Sequence, residues 1–250
     1  MKYSLILITH RDTDKATSAI QSVLMQTHRD WELLVVHDSP ENKNVGTYIT
    51  TLQDPRIRHL ENNTSQGLNV SRNKGLDNTS INSDWVLFLD DTSTLAPDTL
   101  HTFTSLIEKH NGVTWFMTNK AHKDGASFTK APQEDRVYSY TWDYLIQRKI
   151  QGPGLWCIET HLLGNQRFPT GLRDAADWLF FFQIATRSKF FYHDHNSAIY
   201  TASPKPEKSL KQYLKPLLHE AHKQRILYDP RFIITVFMLY FWPLTTDRTT

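Results

Sequence analysis

The sequence predicts an α/β protein with a mixed, mainly parallel central sheet flanked by helices and a C-terminal helical appendage. Three observations carry that prediction. Apolar runs of strand length alternate with segments of helical period, and the order β-α-β-α-β-α-β requires right-handed crossovers between parallel strands. The apolar runs are continuous, as expected of strands covered on both faces. Beyond residue 203 the alternation is gone, and the chain becomes basic and then strongly aromatic.

Tyr3 to Thr9 is the first apolar run, and after the following turn Ala16, Ile20, Val23 and Leu24 recur at helical spacing. Trp31 to Val36 reads as a second strand that ends on the turn cluster His37-Asp38-Ser39-Pro40. Val45 to Leu52 is expected as a short helix, Arg56 to Leu60 as a short strand, Gln66 to Leu76 as a helix and Asp84 to Leu89 as the next strand. Pro97-Asp98 opens a helix with Leu100, Phe103 and Ile107 on one face. Gly112 ends it, Val113 to Thr118 follows as a strand, and Asn119 to Asp135 reads as polar loop. Tyr138 to Ile150 and Asp174 to Thr186 are expected helices, with the rigid turn Gly152-Pro153-Gly154 leading into a strand at Leu155-Trp156. Ser209 to Tyr228 reads as a basic helical segment that Pro216 divides into two. Phe232 to Trp242 is strongly apolar but too short to span a bilayer.

With 250 residues, 39% of them hydrophobic, the chain can bury a full core. A net charge of +2 gives no ground for a nucleic-acid partner. Between Pro204 and Arg231, however, seven Lys or Arg stand against three acids. A basic stretch followed by an aromatic one suits attachment of residues 204–244 to an anionic membrane surface. A final core helix or an oligomer contact fits the same pattern. The single Cys157 excludes an internal disulfide and fits a reducing compartment. The first apolar run is too short for a signal peptide. A cytoplasmic protein is expected, peripheral at the inner face of the cell membrane.

The most informative stretch is Asn63 to Asp98. A helix bearing Gly67 and Arg72 precedes an apolar strand that stops on Asp90 and Asp91. Carboxylates at the carboxyl end of a strand in an open α/β sheet stand where ligands bind. A pair there can hold a hard divalent cation that also grips phosphate oxygens. Asp38, at another strand end, can accept from a nucleobase N–H, and Thr9 can bond the base edge. Arg72 offers planar donors to a diphosphate. Trp156 and Trp178 offer ring faces to sugars.

These motifs resemble those of family 2 glycosyltransferases, which have the Rossmann-like GT-A fold. The resemblance runs from the first residues to about residue 186. Thr9-His10-Arg11 holds the place of the family's Thr-x-Arg, and Ala19 to Asp38 matches its helix-turn-strand, including Ser22, Gln26-Thr27 and Glu32. Gln66-Gly67, Ser71-Arg72-Asn73 and Gly75 resemble its Gly, Ala-Arg-Asn and Gly pattern. Asp90-Asp91-Thr92 stands at the family's Asp-x-Asp. Counting from the strand puts Asp91 at the metal position, and counting back from Ala96-Pro97-Asp98 puts Thr92 there.

The resemblance implies that Thr9, Arg11, Asp38, Arg72 and Asp90 bind the nucleotide. It implies that Asp91 and Asp90 hold Mn²⁺ or Mg²⁺, with His193 or His195 as a third ligand. Asp177, followed by Trp178, falls at the catalytic base, with Asp174 one turn upstream as the alternative; Trp156 and Trp178 would meet the acceptor. The implied organisation is a GT-A domain over 1–203, with a nucleotide-sugar half (1–118) and an acceptor half (119–203), and an extension over 204–250. The implied activity is inverting transfer from a UDP-sugar to a hydroxyl of a glycan or lipid-linked acceptor, in bacterial lipopolysaccharide or capsule assembly. Thr92, Ala176 and His37 depart from the family pattern, and they define the rival reading: a non-catalytic nucleotide-binding or scaffold module.

Overall fold

The computed structural model describes residues 1–10, 13–39, 43–132, 134–172, 176–201 and 214–241. Its first half builds as the apolar pattern dictates. β1 (Tyr3–Thr9), β2 (Trp31–His37), β3 (Ile57–Glu61) and β4 (Trp85–Asp90) are parallel and lie in the order β3-β2-β1-β4. Every residue of β1 and β2 is buried, so neither face can carry a polar pattern. α1 (Thr13–Leu24), α2 (Asn44–Leu52) and α3 (Leu68–Asp77) make the connections. The period of two along each strand then sorts the core into two layers. Leu5, Leu7, Val35 and Leu87 pack with Ala16, Ile20 and Val23 of α1. Ile6, Ile8, Val36 and Val86 pack with Leu76 of α3 on the opposite face.

Beyond β4 the sheet becomes mixed. β6 (Trp115–Ala121) follows α4 (Thr99–Lys109), and β8 (Gly154–Glu159) is inserted antiparallel between β4 and β6. β9 (Phe190–Tyr200) lies parallel to β6. The short β5 (Ser93–Leu95) and β7 (Arg136–Tyr138) both pair antiparallel with β9. Only β5, β7 and β8 run against the rest, giving the mainly parallel sheet that the sequence predicts.

Three local expectations change. β6 continues through Asn119, Lys120 and Ala121, because Asn119 pairs with both β8 and β9 and the next two residues pair with β9. β9 is a strand that the sequence pattern does not predict: only Phe190-Phe191-Tyr192 is a continuous apolar run, and a register shift against β6 accompanies the polar stretch that follows. Tyr138 to Ile150 is not an α-helix: it holds one π-helical turn, Tyr140–Ile146, which Ser139 caps by accepting from the Trp142 N–H. α5 (Thr160–Leu163) and α6 (Ala176–Ala185) complete this half.

The C-terminal segment holds α7 (Leu214–Lys223), a 3₁₀ turn at Ile226–Tyr228 and α8 (Pro230–Phe241). Pro216 does not divide α7. It sits in the first turn, where its missing N–H would have no intrahelical acceptor. Leu217, Ala221, Ile226 and Phe232 join the cluster that contains Ile6, Trp115 and Trp178. The described part of the extension is therefore packed on the core. Trp178, an expected acceptor residue for which core packing is the default alternative, is packed in the core: it is 5% exposed, with Phe182 and Phe232 at 5.9 and 5.5 Å between ring centres. Among the described residues, no helix is long and apolar enough to cross a membrane.

Gly75 lets α3 lie directly on β1, since a Cβ there would overlap the Ile6 side chain. Gly75→Ala is expected to cost ~1–3 kcal/mol through overpacking. In denaturant unfolding, the cost of Gly75→Ala combined with Ile6→Ala should fall below the sum of the two single costs.

Candidate active site

Asp38, just past β2, is 4% exposed. Its Oδ1 accepts from Asn62 Nδ2 and the Gln66 backbone N–H, each at 2.7 Å. Its Oδ2 accepts from the Ser65 hydroxyl at 3.1 Å and the Gly67 N–H at 2.8 Å. Two acceptances per oxygen fill the carboxylate's usual capacity. Burial opposes its charge, but these four donors outweigh burial and hold its pKa below the ordinary value. Asp38 thereby fastens the loop that leads into α3. Next to it, Thr9 at the end of β1 donates its hydroxyl to Asp91 Oδ2 at 3.0 Å. Burial and the neighbouring Asp90 push the Asp91 pKa up.

α3 carries the central side chain, Arg72, which is 7% exposed. Its Nη1 bonds Asp177 Oδ1, its Nη2 lies 3.7 Å from Asp90 Oδ1, and its guanidinium lies over the Phe168 ring at 4.9 Å. Burial opposes the charge, yet Asp177 and Asp90 more than offset that and raise the Arg72 pKa. Two asparagines one helical turn apart on α3 hold the partner segment in place. Asn69 donates to the carbonyls of Pro169 and Leu172 at 3.2 and 2.6 Å. Asn73 exchanges two hydrogen bonds with the Phe168 backbone, at 2.9 and 2.8 Å. That segment leads toward α6, and so it brings Asp177 to Arg72.

Arg72, Asp90 and Asp177 line one side of a cleft of about 170 Å³. Tyr140, Tyr144, Trp156 and Phe181 form an aromatic wall. Tyr140 and Tyr144 stack at 5.0 Å between centroids, and Trp156 stands 5.0 Å from Phe181. Lys120, from the polar end of β6, brings Nζ to 4.0 Å from Asp90 Oδ2. The cleft thus combines two carboxylates, two cations and an apolar wall. This volume is below the roughly 300–1,000 Å³ of pockets for drug-sized ligands. It suits one sugar ring rather than a whole nucleotide-sugar.

The sequence-identified residues separate into distinct groups. Asp90, Arg72, Asp177 and Trp156 meet in the cleft. Thr9, Asp38 and Asp91 lie toward the β1–β2 side: the Thr9 hydroxyl donates to Asp91, and the Asp38 N–H donates to the Thr9 carbonyl at 2.9 Å. Asp91 bonds Thr9, whereas Asp90 stands beside Arg72 and Lys120. His193 bonds Asp135 Oδ2 at 2.6 Å, and His195 Nε2 lies 3.8 Å from Asp98; neither lines the cleft. Arg11 and Asp174 lie outside the described residues. No three His, Cys, Asp or Glu among the described residues converge to hold a metal ion. What the cleft offers a divalent cation is Asp90, with a side chain 40% exposed. One carboxylate completed by substrate phosphates and water is the arrangement that Mg²⁺ accepts. Sequence reasoning missed Lys120, Asn69, Tyr140 and Tyr144. Lys120 carried no motif, and the asparagines have meaning only once the 168–172 segment lies against α3.

Comparison with known proteins gives a consistent picture. The family model described as "Glycosyl transferase family 2" matches residues 4–168, well over half of the chain, and stops before Asp177. WcaA of Escherichia coli (strain K12), named "Putative colanic acid biosynthesis glycosyl transferase", is 23% identical over 223 residues, which cover 81% of this chain and 76% of that protein. An "Uncharacterized glycosyltransferase" of Haemophilus influenzae is 24% identical over 192 residues, covering 75% of this chain and 63% of that protein. Among solved structures, S. aureus TarS superposes with a TM-score of 0.73 at 19% identity, over 96% of this chain but 42% of TarS. TarS 1-349 in complex with UDP-GlcNAc superposes with a TM-score of 0.72 at 20% identity, over 95% of this chain and 73% of that one. At such identities these structures establish the fold.

Asp38→Asn removes the acceptor capacity of one oxygen and strands two donors, at an expected cost of about 2–4 kcal/mol. Its folded-state pKa is depressed below 3.8. The contribution of Asp38 is therefore fully present above that pH and is lost as pH falls through the folded-state value. Calorimetry should show a constant gap between wild type and Asp38→Asn from about pH 8 to about pH 5, narrowing only in stronger acid.

Proposed function

Because the chain belongs to glycosyl transferase family 2 and is a glycosyltransferase, we propose that it transfers a sugar from a UDP-sugar to a glycan or lipid-linked hydroxyl with inversion. The observation that carries this reading is the contact between two distant parts of the chain at the cleft. Arg72 pairs at once with Asp90 on the strand end and with Asp177 on α6. A carboxylate at a strand end belongs with a ligand's phosphates, and a second carboxylate lining the same cleft suits a general base. The UDP-GlcNAc complex of TarS supports a donor of this class. The naming of WcaA for colanic acid biosynthesis supports a setting in surface polysaccharide assembly.

In the proposed step the acceptor hydroxyl lies between Asp177 and the anomeric carbon. Asp177 takes the hydroxyl proton as the oxygen forms its bond to that carbon. The bond from carbon to the diphosphate oxygen breaks on the far face, and its electron pair leaves with the diphosphate. Arg72 orients the Asp177 carboxylate and places positive charge beside the departing oxygens. The aromatic wall with Trp156 shields the reacting centre from water. Asp38 and Thr9 lie on the side where the nucleobase would rest, and Asp38 would have to exchange one of its four donors for the base. Mn²⁺ or Mg²⁺, when bound, would neutralise charge on the diphosphate. Asp90 is the residue placed to hold it; Asp91 would first have to leave Thr9.

UDP release should be measured over a panel of UDP-sugars and acceptors with Mn²⁺, Mg²⁺ or EDTA. Asp177→Asn is expected to lower turnover by a factor of about 10²–10⁴ while UDP binding persists. Asp90→Asn should weaken both the metal response and turnover. UDP binding without release from any donor would instead favour the non-catalytic module.

We also place the protein at an anionic membrane surface through α7 and α8. Ile233, Ile234 and Phe237 are each more than half exposed, and the same C-terminal segment carries the basic Lys215, Lys223, Arg225 and Arg231. The protein is expected to float with phosphatidylserine-containing vesicles and to sink with neutral ones. Ile233→Ser combined with Ile234→Ser should abolish flotation.

A further inference from the structure

We propose that Lys120 binds an anionic oxygen group of the donor and so helps to decide which donor the cleft accepts. The proposal rests on the reading of the cleft as a nucleotide-sugar site. Lysine is almost never buried unless it is paired, yet Lys120 is 6% exposed. Its nearest carboxylate oxygen, on Asp90, is 4.0 Å from Nζ, beyond hydrogen-bond length. Its ammonium donates no hydrogen bond to another described residue and lines the cleft.

The charges form a row in the order Asp177, Arg72, Asp90, Lys120. Arg72 has a carboxylate on each side, whereas Lys120 stands at the end and shares Asp90 with Arg72. Were Asp90 to hold a cation on the diphosphate, Lys120 would lose its one close counter-charge among the described residues. An ammonium left unpaired in a mostly buried position is costly, so an anionic oxygen arriving with the substrate is favoured there.

Placement identifies which end of the donor is involved. β8 separates β4 from β6, so Lys120 stands about 9–10 Å along the sheet from the strand that ends in Asp90. Thr9 and Asp38 lie in the other direction, at β1 and β2. Lys120 therefore meets the substrate from the sugar side. The register leaves the path open. Asn119 pairs with Gly154, the first residue of β8. A Cβ on Gly154 would come within 2.9 Å of the Thr118 carbonyl oxygen and would overlap Met117. Pro153 and Gly154 line the cleft at the start of β8, and neither has a side chain that reaches across. Two groups offer the required oxygen: the β-phosphate of the donor and a carboxylate on the sugar ring.

The test is calorimetric titration of UDP, UDP-GlcNAc and UDP-glucuronate, with Mg²⁺, into wild type and Lys120→Met. Thermal unfolding of each variant reports its folding, and Lys120→Gln replaces the Met variant if that one melts early. Weaker binding of all three ligands by about tenfold or more identifies the phosphate as the partner. The same loss confined to UDP-glucuronate identifies the sugar carboxylate. Affinities of the folded variant within about twofold of wild type for all three ligands would overturn the proposal. If wild type binds none of the three, the donor reading fails and this inference falls with it.

Discussion

Everything at the cleft depends on keeping one guanidinium charged inside the protein. Arg72 is nearly buried, and a buried charge without partners costs far more than a fold can supply. Its charge is balanced by carboxylates from two otherwise separate parts of the chain: Asp90 at the end of β4 and Asp177 at the start of α6. The same helix supplies Asn69 and Asn73, which clamp the backbone of residues 168–172. α3 is thus both a crossover of the parallel sheet and the surface on which the second half of the chain is assembled. The site is the seam between those halves.

The strand ends beside the seam are occupied by knots of hydrogen bonds. Asp38 gathers four donors from the loop before α3, and Asp91 is tied to Thr9. These knots rigidify the edge where a nucleotide would lie, and they set what a ligand must displace. Asp90 is different: it opens to the cleft between two cations. Adjacent carboxylates in a motif thereby meet different neighbours, because successive residues at a strand end point in different directions. The aromatic wall contributes shape without charge, leaving the polar groups to set orientation.

The parallel half of the fold was legible because its strands are covered on both faces and its helices on one, so burial is written directly into the residue pattern. Of the other half, β6 and the start of β8 were legible, but β5, β7 and β9 were not. β5 and β7 are three residues each, β9 has a register shift through a polar stretch, and the polar end of β6 is held by its neighbours. For the site, Arg72, Asp90, Asp177 and Trp156 could be picked from their motifs or their setting, and they do share a cleft. Trp178, adjacent to Asp177, could not be told from an acceptor residue, because α8 covers it only in the folded chain. Lys120 gave no signal at all, since one lysine in a polar run resembles any solvated lysine.

The sequence by itself determined the α/β architecture, the parallel strands of the first half and the kind of chemistry gathered at their carboxyl ends. Those follow from local periodicity and from residues within one strand or one turn of each other. Only the tertiary structure decided that Asp90 and Asp91 part company, that Arg72 joins Asp90 to Asp177, and that Lys120 enters the cleft while Trp178 leaves it. The physical reason is that each of these outcomes depends on which distant segment supplies a counter-charge, a hydrogen-bond acceptor or a covering side chain. That pairing is settled by the packing of the whole chain.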